Sequence, residues 1–232
     1  MDAFLTPEFW LAVGQIVMID ILLGGDNAVV IALACRKLPP DLRRRGILWG
    51  TAGAIGLRVV LIFFAMALLA LPYLKLVGAV LLLWIGVKLL VPDEDGHGTI
   101  QASSRLLGAI KTIIVADLIM SVDNVIGIAG AAHGAGQESH QLALVIFGLL
   151  VSVPIIVWGS NLVLQLMDRF PLIITVGGML LGWIAGVLAI SDPAVTKHVL
   201  ETDANRYVAG VAGALLVLGL GALLAKRHPT SD

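Results

Sequence analysis

The sequence predicts an all-α membrane protein: a polytopic bundle of seven transmembrane helices, built as two inverted three-helix repeats plus a seventh helix, N-terminus outside and C-terminus inside. Three observations predict it: a scarcity of charge, a series of apolar stretches long enough to span a bilayer, and an internal repeat that keeps its aspartates. Of 232 residues, 13% are charged and 59% apolar, and the mean hydropathy is +0.99. A soluble domain carries about 25% charge to dress its surface, so water is not this chain's main solvent. The net charge of −1 leaves no basic stripe for phosphates and excludes a nucleic-acid partner. The single cysteine, Cys35, excludes an internal disulfide, a Cys-rich zinc site and a CxxC redox pair. The five histidines form no HExxH pattern. No nucleophile–base pair or cofactor motif is visible, so neither an enzyme nor a prosthetic group is expected.

A helix needs about 20 apolar residues to cross roughly 30 Å of hydrocarbon. Seven stretches meet that length: residues 10–34, 46–71, 73–91, 106–132, 141–164, 171–190 and 207–225. Unbroken apolar runs indicate helices, because barrel strands would alternate over about ten residues. The first stretch follows only Asp2 and Glu8, without the basic segment of a cleaved signal peptide, so it is expected to stay. The next loop is basic, with Arg36, Lys37, Arg43, Arg44 and Arg45. The second stretch carries Gly50, Gly53 and Gly56, small residues that let helices approach, and an isolated Arg58. Pro72 precedes the third. A polar linker, residues 92–105, follows, and its Asp93-Glu94-Asp95 run reads as a solvated turn at the cytoplasmic mouth. Ser152 and Pro154 interrupt the fifth stretch and could kink it opposite Arg58. The sixth begins at Pro171, and a polar break ending in ETDANR separates it from the seventh. With seven spans, the first loop and the Lys226-Arg227 tail fall on one side, which places that side in the cytoplasm.

The repeat relates residues 9–91 to residues 106–190. DILLGGDNAVVIALA in the first stretch matches DLIMSVDNVIGIAGA in the fourth, pairing Asp20 with Asp117, Asp26 with Asp123 and Asn27 with Asn124 at an offset of 97. Pro72, Val77, Gly78, Trp84 and Ile85 match Pro171, Val176, Gly177, Trp183 and Ile184 at an offset of 99. Three spans per copy is an odd number, so the second copy enters the membrane from the opposite side. Inverted repeats with a site at their interface are a recurring transporter plan. A duplication kept only for packing is the plainer reading of the same pattern.

The repeat preserves carboxylates where they are costly. An aspartate at mid-span costs about 2.5–3.5 kcal/mol on insertion scales, and Asp20, Asp26, Asp117 and Asp123 all lie inside apolar stretches. Six residues of helix turn about 600°, which sets the two acids of one helix about 120° apart. Gly24 and Gly25 would let the first helix loosen between them, whereas the second copy has Ser121 and Val122. Four carboxylates and the amides of Asn27 and Asn124 form an oxygen-rich set suited to Mg²⁺, Ca²⁺ or Mn²⁺. Arg58 is the candidate counter-charge, and Lys111 would snorkel to the cytoplasmic face. Met18 and Met120 lie near the acids; a thioether would favour Mn²⁺, while core filling is the ordinary role of such a methionine. A proton relay, a site for a cationic organic substrate and a structural hydrogen-bond network stay open as readings of the same acids. Gln15 reads as an extension of the polar lining or as an interfacial hydrogen-bonder. His97, His133 and His140 read as loop residues.

DILLGGDNAVVIALACRKLP and its echo DLIMSVDNVIGIAG resemble the TerC family of integral membrane proteins, in particular the branch associated with manganese efflux, over nearly the whole chain. The resemblance implies a multi-pass protein of the bacterial inner membrane that exports a divalent cation, most of all Mn²⁺. It carries metal-binding roles onto Asp20, Asp26, Asn27, Asp117, Asp123 and Asn124. The family also includes members tied to tellurium-compound resistance and to membrane-protein insertion, so an exporter of another cation or of a basic amino acid, and a non-transporting assembly factor, are the alternatives. The expected partners are thus a divalent metal ion and the lipid bilayer.

Overall fold

A computed structural model describes residues 7–23, 25–69, 71–91, 102–134, 141–200 and 202–227. Side chains are described throughout these except at 7–9, 12, 19, 22–23, 62–63, 65–69, 102, 122–134, 141–145 and 226–227. Among the described residues there are eight helices and no strand: α1 (Pro7–Leu23), α2 (Gly25–Cys35), α3 (Pro40–Leu69), α4 (Leu74–Leu90), α5 (Ala102–Gly134), α6 (Gln141–Arg169), α7 (Leu172–Ile190) and α8 (Asp203–Arg227). The all-helical expectation is met. Among the described residues, three helical segments are long and apolar enough to cross a membrane, Ile146–Arg169, Leu172–Ile190 and Asp203–Ala225.

The first apolar stretch is described as α1 and α2, on either side of Gly24, which lies outside the described residues. Consecutive glycines cost backbone entropy in a helix, and the Asp26 carboxyl lies beside the backbone N–H groups of its own residue and of Asn27. A short acidic side chain that takes up free N–H groups is what starts a new helix. In the second copy, with Ser121 and Val122 in place of the glycines, α5 runs on to Gly134. Helices α3, α5, α6 and α8 also extend past their apolar stretches by one to two turns, onto charged and polar residues such as Arg43, Arg105 and Asp203.

Contacts along the helices give their directions. Gly50 and Gly53 of α3 lie on Ile113 and Ile114 of α5, and Arg58 further along reaches Asp117 and Ser121, so α3 and α5 run parallel. Among the described residues nothing lies within 4 Å of a Cβ at Gly56, so the close approach to α5 is made at Gly50 and Gly53. Helices α1 and α6 are also parallel: Trp10 meets Phe147 edge-on, Ile16 lies on Gly148, and Asp20 takes the Ser152 hydroxyl. Helices α4 and α7 are antiparallel, with Gly78 near Leu188 and Gly86 near Leu181. Helix α8 lies antiparallel along α7, where Gly182 and Gly186 sit against the backbone of Gly213 and Ala209 with no room for a side chain. Such backbone-to-backbone approach is the usual attraction between helices in lipid, where burial alone drives nothing. Helix α2 is central, with every residue from Val30 to Cys35 buried.

The two ends are tied differently. At the basic end, Arg36 donates to the Leu89 carbonyl (3.3 Å) and Lys37 to that of Val91 (2.8 Å), so cations cover the last carbonyls of α4. Arg43 donates to the Arg36 and Leu38 carbonyls and pairs with Asp168 at 2.7 Å. At the opposite end the buried Asp192, in the α7–α8 loop, accepts from the backbone N–H groups of Tyr73 (3.0 Å), Leu76 (3.2 Å) and Ala194 (2.8 Å). It caps α4 from another part of the chain, across a turn in which Tyr73 takes φ 69. Burial alone would raise the Asp192 pKa, but the N–H groups of Ala194, Tyr73, Leu76 and Lys75 outweigh it and hold the carboxyl below the ordinary carboxylate range. The stabilisation is therefore fully present above about pH 4, the unfolded value, and is lost as pH falls through the depressed folded value. Asp192→Asn is expected to destabilise the protein by about 2 kcal/mol at pH 7, read as thermal unfolding in detergent. The deficit should shrink toward zero in strong acid, and equal midpoints at pH 7 would exclude the clasp.

Candidate functional site

Four helices bring a polar cluster into the apolar interior. Asp20 from α1, Arg58 from α3, Asp117 and Ser121 from α5, and Ser152 from α6 are all at most 6% exposed. The guanidinium is used from every side. Nη1 pairs with Asp20 Oδ1, Nη2 with Asp117 Oδ1, and Nε donates to Ser121 Oγ at 2.9 Å. Ser121 passes its own proton to Asp117 Oδ2 at 3.0 Å. The planar fork of arginine permits this double recognition, which a lysine could not reproduce.

The charges do not balance. One guanidinium faces two carboxylates, leaving a formal charge of −1 inside the bundle. One proton, or an arriving cation with release of protons, would cancel it. Ser152 joins the cluster from α6: its hydroxyl donates to Asp20 Oδ2 and lies within reach of the Leu149 carbonyl (2.8 Å), so its one hydrogen is shared between two acceptors.

Next to this network lies a set of orphaned polar atoms. Asp26 Oδ1, both heteroatoms of the Asn27 side chain and Thr51 Oγ1 are buried and have no hydrogen-bond partner among the described residues. Each such group costs about 1–3 kcal/mol when left unpaired. Asp26 is within electrostatic range of Asp117 and Arg58. Thr51 precedes Arg58 by seven residues, two turns along the same face of α3. A carboxylate, an amide and a hydroxyl are hard oxygen donors, the set that Mg²⁺, Ca²⁺ or Mn²⁺ accepts. Among the described residues no group of three or more His, Cys, Asp or Glu is close enough to hold a metal by itself, and Arg58 pairs with both Asp20 and Asp117.

Of the residues singled out in the sequence, Asp20, Asp117 and Arg58 are brought into direct contact, and Asp26 and Asn27 lie on the adjoining helix α2. Asp123 and Asn124 are on α5, but their side chains lie outside the described residues. Met120 is buried in the hydrophobic core, whereas Met18 is 62% exposed and faces away from the acids. Gln15 and Lys111 are exposed. His97, His140 and the Asp93–Asp95 run lie outside the described residues, as does the side chain of His133. Ser121, Thr51 and Asp192 were missed as polar participants, and Ser152 was noted only for bending its helix. The available signal for Ser152 was its place beside Pro154 in the fifth stretch, opposite Arg58.

Residues 5–229 match the family described as integral membrane protein TerC family. Uncharacterized membrane protein YjbE of Bacillus subtilis (strain 168) is 43% identical over 185 residues, which cover 80% of this chain and 82% of that protein. Uncharacterized membrane protein YkoY of the same organism is 24% identical over 250 residues, 99% of this chain and 77% of its own. UPF0053 inner membrane protein YgdQ of Escherichia coli (strain K12) is 26% identical over 182 residues, 71% of this chain and 74% of its own. No solved structure matches the chain at a significant level.

Removing Arg58 would leave two carboxylates buried against each other with no counter-charge, a loss of about 3–5 kcal/mol. Arg58→Gln is expected to lower stability by that amount in a detergent unfolding assay, and adding Asp117→Asn to it should restore a large part. If the double variant is no more stable than the single one, the pairing does not hold the bundle.

Proposed function

The chain belongs to the TerC family of integral membrane proteins, and on that premise we propose that it exports a divalent cation, with Mn²⁺ the cargo, through the buried carboxylates of its two repeats. The observation that supports this reading most is the meeting of Asp20 and Asp117, equivalent residues of the two copies, at one guanidinium with a negative charge left over. A site built from both copies at their interface is the arrangement that inverted-repeat transporters use. Helix directions support the inverted reading, since α1 with α6 and α3 with α5 run parallel while α4 and α7 run antiparallel. Seven spans with the N-terminus outside and a place in the bacterial inner membrane complete the proposal. The inner-membrane name of the Escherichia coli relative supports the location.

In this reading Asp26 and Asn27 receive the cation from the cytoplasmic side, where their unpartnered oxygens offer ligands in place of its lost water. Asp123 and Asn124, in the inverted second half, offer the equivalent ligands toward the opposite side, where the cation leaves. Asp20 and Asp117 bind it when the guanidinium of Arg58 gives way, and a proton held at Asp20 leaves as the cation arrives. Cation for proton exchange follows from charge balance in a medium that tolerates no net charge. Met120, buried on α5 one residue before Ser121, supplies the soft donor that favours Mn²⁺ over Mg²⁺. One observation favours a second cargo: the gap between Asp20 and Asp117 already accepts a guanidinium, the head group of a basic amino acid.

The test is Mn²⁺ flux into proteoliposomes under an imposed pH gradient. Wild type should transport, and Asp26→Asn and Asp123→Asn should each lower the initial rate at least tenfold. Undiminished flux in both variants would remove these residues from the site. Arginine that competes with Mn²⁺ would move the cargo to a basic amino acid, and a folded wild type that moves nothing would favour a partner-dependent assembly factor.

A further inference from the structure

Thr51 of α3 lacks the bond that its kind of side chain ordinarily makes in a helix. A hydroxyl there donates to the carbonyl four residues back, as Thr112, Ser160 and Ser191 do to Gly108, Ile156 and Val187 at 2.8–3.0 Å. Thr51 is 2% exposed, yet its Oγ1 has no hydrogen-bond partner among the described residues, the Ile47 carbonyl included. Ile47 and Ala54, about one turn to either side, belong to the same hydrophobic core as Val30–Cys35 of α2. The hydroxyl is thus a single polar point on an apolar stripe of α3 that packs with α2.

A neighbouring contact gives its depth. A Cβ at Gly46 of α3 would meet Cys35 Sγ, at the end of α2, at 3.0 Å, so these two residues lie at one level near the basic loop. From that level α3 leads into the bundle, and so does α2 when followed back from Cys35. At 1.5 Å of rise per residue, Thr51 lies about 7.5 Å deep, Asn27 about 12 Å, Asp26 about 13.5 Å and Arg58 about 18 Å. Thr51 therefore comes first among the orphaned oxygens on the way in from the basic end. It precedes Asn27 by about 4.5 Å in depth, which two ligands of one ion can span, since each lies about 2.0–2.6 Å from it.

We propose that Thr51 Oγ1 is the outermost protein ligand of a divalent cation, held partly hydrated with Asn27 and Asp26 while Arg58 still occupies Asp20 and Asp117. The inference rests on the transport reading and deepens it, by giving the cation a first stop and its first selection. Two neutral oxygens and one carboxylate hold a dication loosely enough to pass it inward, as conduction through successive sites requires. Mg²⁺ gives up water reluctantly and demands a near-ideal octahedron, so exchange of water for the Thr51 and Asn27 oxygens favours a larger divalent ion. The missing bond to Ile47 is what leaves the hydroxyl free for this role.

Thr51→Val keeps the branched shape and removes the oxygen, whereas Thr51→Ser keeps the oxygen. Equilibrium Mn²⁺ binding in lipid nanodiscs and the thermal midpoint without metal are measured for each. Thr51→Val should weaken binding by about fivefold or more, and Thr51→Ser by less than about twofold. Ser160→Ala removes a buried hydroxyl already bonded within its own helix and should leave binding unchanged. Because an orphaned hydroxyl carries a cost and no bond, the metal-free midpoint of Thr51→Val should equal or exceed that of wild type. Unchanged Mn²⁺ binding in Thr51→Val, a lowered midpoint, or an equal loss in Ser160→Ala overturns the assignment. Mn²⁺ flux into proteoliposomes keeps the inference apart from the reading it rests on. Binding that needs Thr51 in a protein that transports nothing upholds the ligand and removes the exporter. Flux in Thr51→Val with the half-saturating Mn²⁺ concentration of wild type removes the ligand and upholds the exporter, and a wild type that binds no Mn²⁺ removes both.

Discussion

Arg58 is 2% exposed, and all three of its nitrogens bond Asp20, Asp117 or Ser121. A charge removed from water costs several kcal/mol unless geometry and hydrogen bonding return it, so α1, α3 and α5 must keep their register to within a fraction of an ångström. Ser152 extends that requirement to α6 through Asp20. The four helices are thus fixed to one another at mid-height by polar contacts, in a solvent where apolar side chains give little preference for one arrangement over another. The arrangement is also conditional, because the anionic surplus leaves it open to any cation or proton that can reach the carboxylates.

The rest of the bundle divides by what holds it. Helices α4, α7 and α8 meet through glycines whose backbones touch, at Gly182 with Gly213 and Gly186 with Ala209, and no side-chain rotation can loosen such contacts. Asp192 ties the start of α4 to the loop after α7. Arg36 and Lys37 tie its other end to the end of α2. Against this frame, α2 carries atoms of Asp26 and Asn27 that have no hydrogen-bond partner among the described residues. Polar cost is therefore concentrated on α2, and backbone-to-backbone packing is concentrated away from it, between α7 and α8.

Much of this was legible in the sequence, and for physical reasons. Charge is so costly in hydrocarbon that Asp20, Asp117 and Arg58 stood out from apolar surroundings, and their pairing follows from mutual neutralisation. The repeat was legible because both copies keep the same acids in the same register. What could not be read were the roles of short polar side chains. Serine and threonine are common in membrane helices and usually bond their own backbone, as Ser160 does with Ile156; only coordinates reveal that Ser121 and Ser152 serve the carboxylates and that Thr51 has no partner among the described residues. Asp192 was invisible for another reason. It lies in a polar loop where an aspartate looks solvated, and its partners at Tyr73 and Leu76 are more than a hundred residues away.

The central claim is that Arg58 and the transported cation compete for the same two carboxylates. Equilibrium Mn²⁺ binding to the purified protein in lipid nanodiscs, wild type against Arg58→Gln, addresses it most directly. Without the guanidinium, Asp20 and Asp117 are free to take the cation, so the variant should bind Mn²⁺ at least tenfold more tightly than wild type. Binding that is unchanged or weaker in folded Arg58→Gln would mean that the guanidinium does not occupy the cation's place, and that the acids and Arg58 form a structural network.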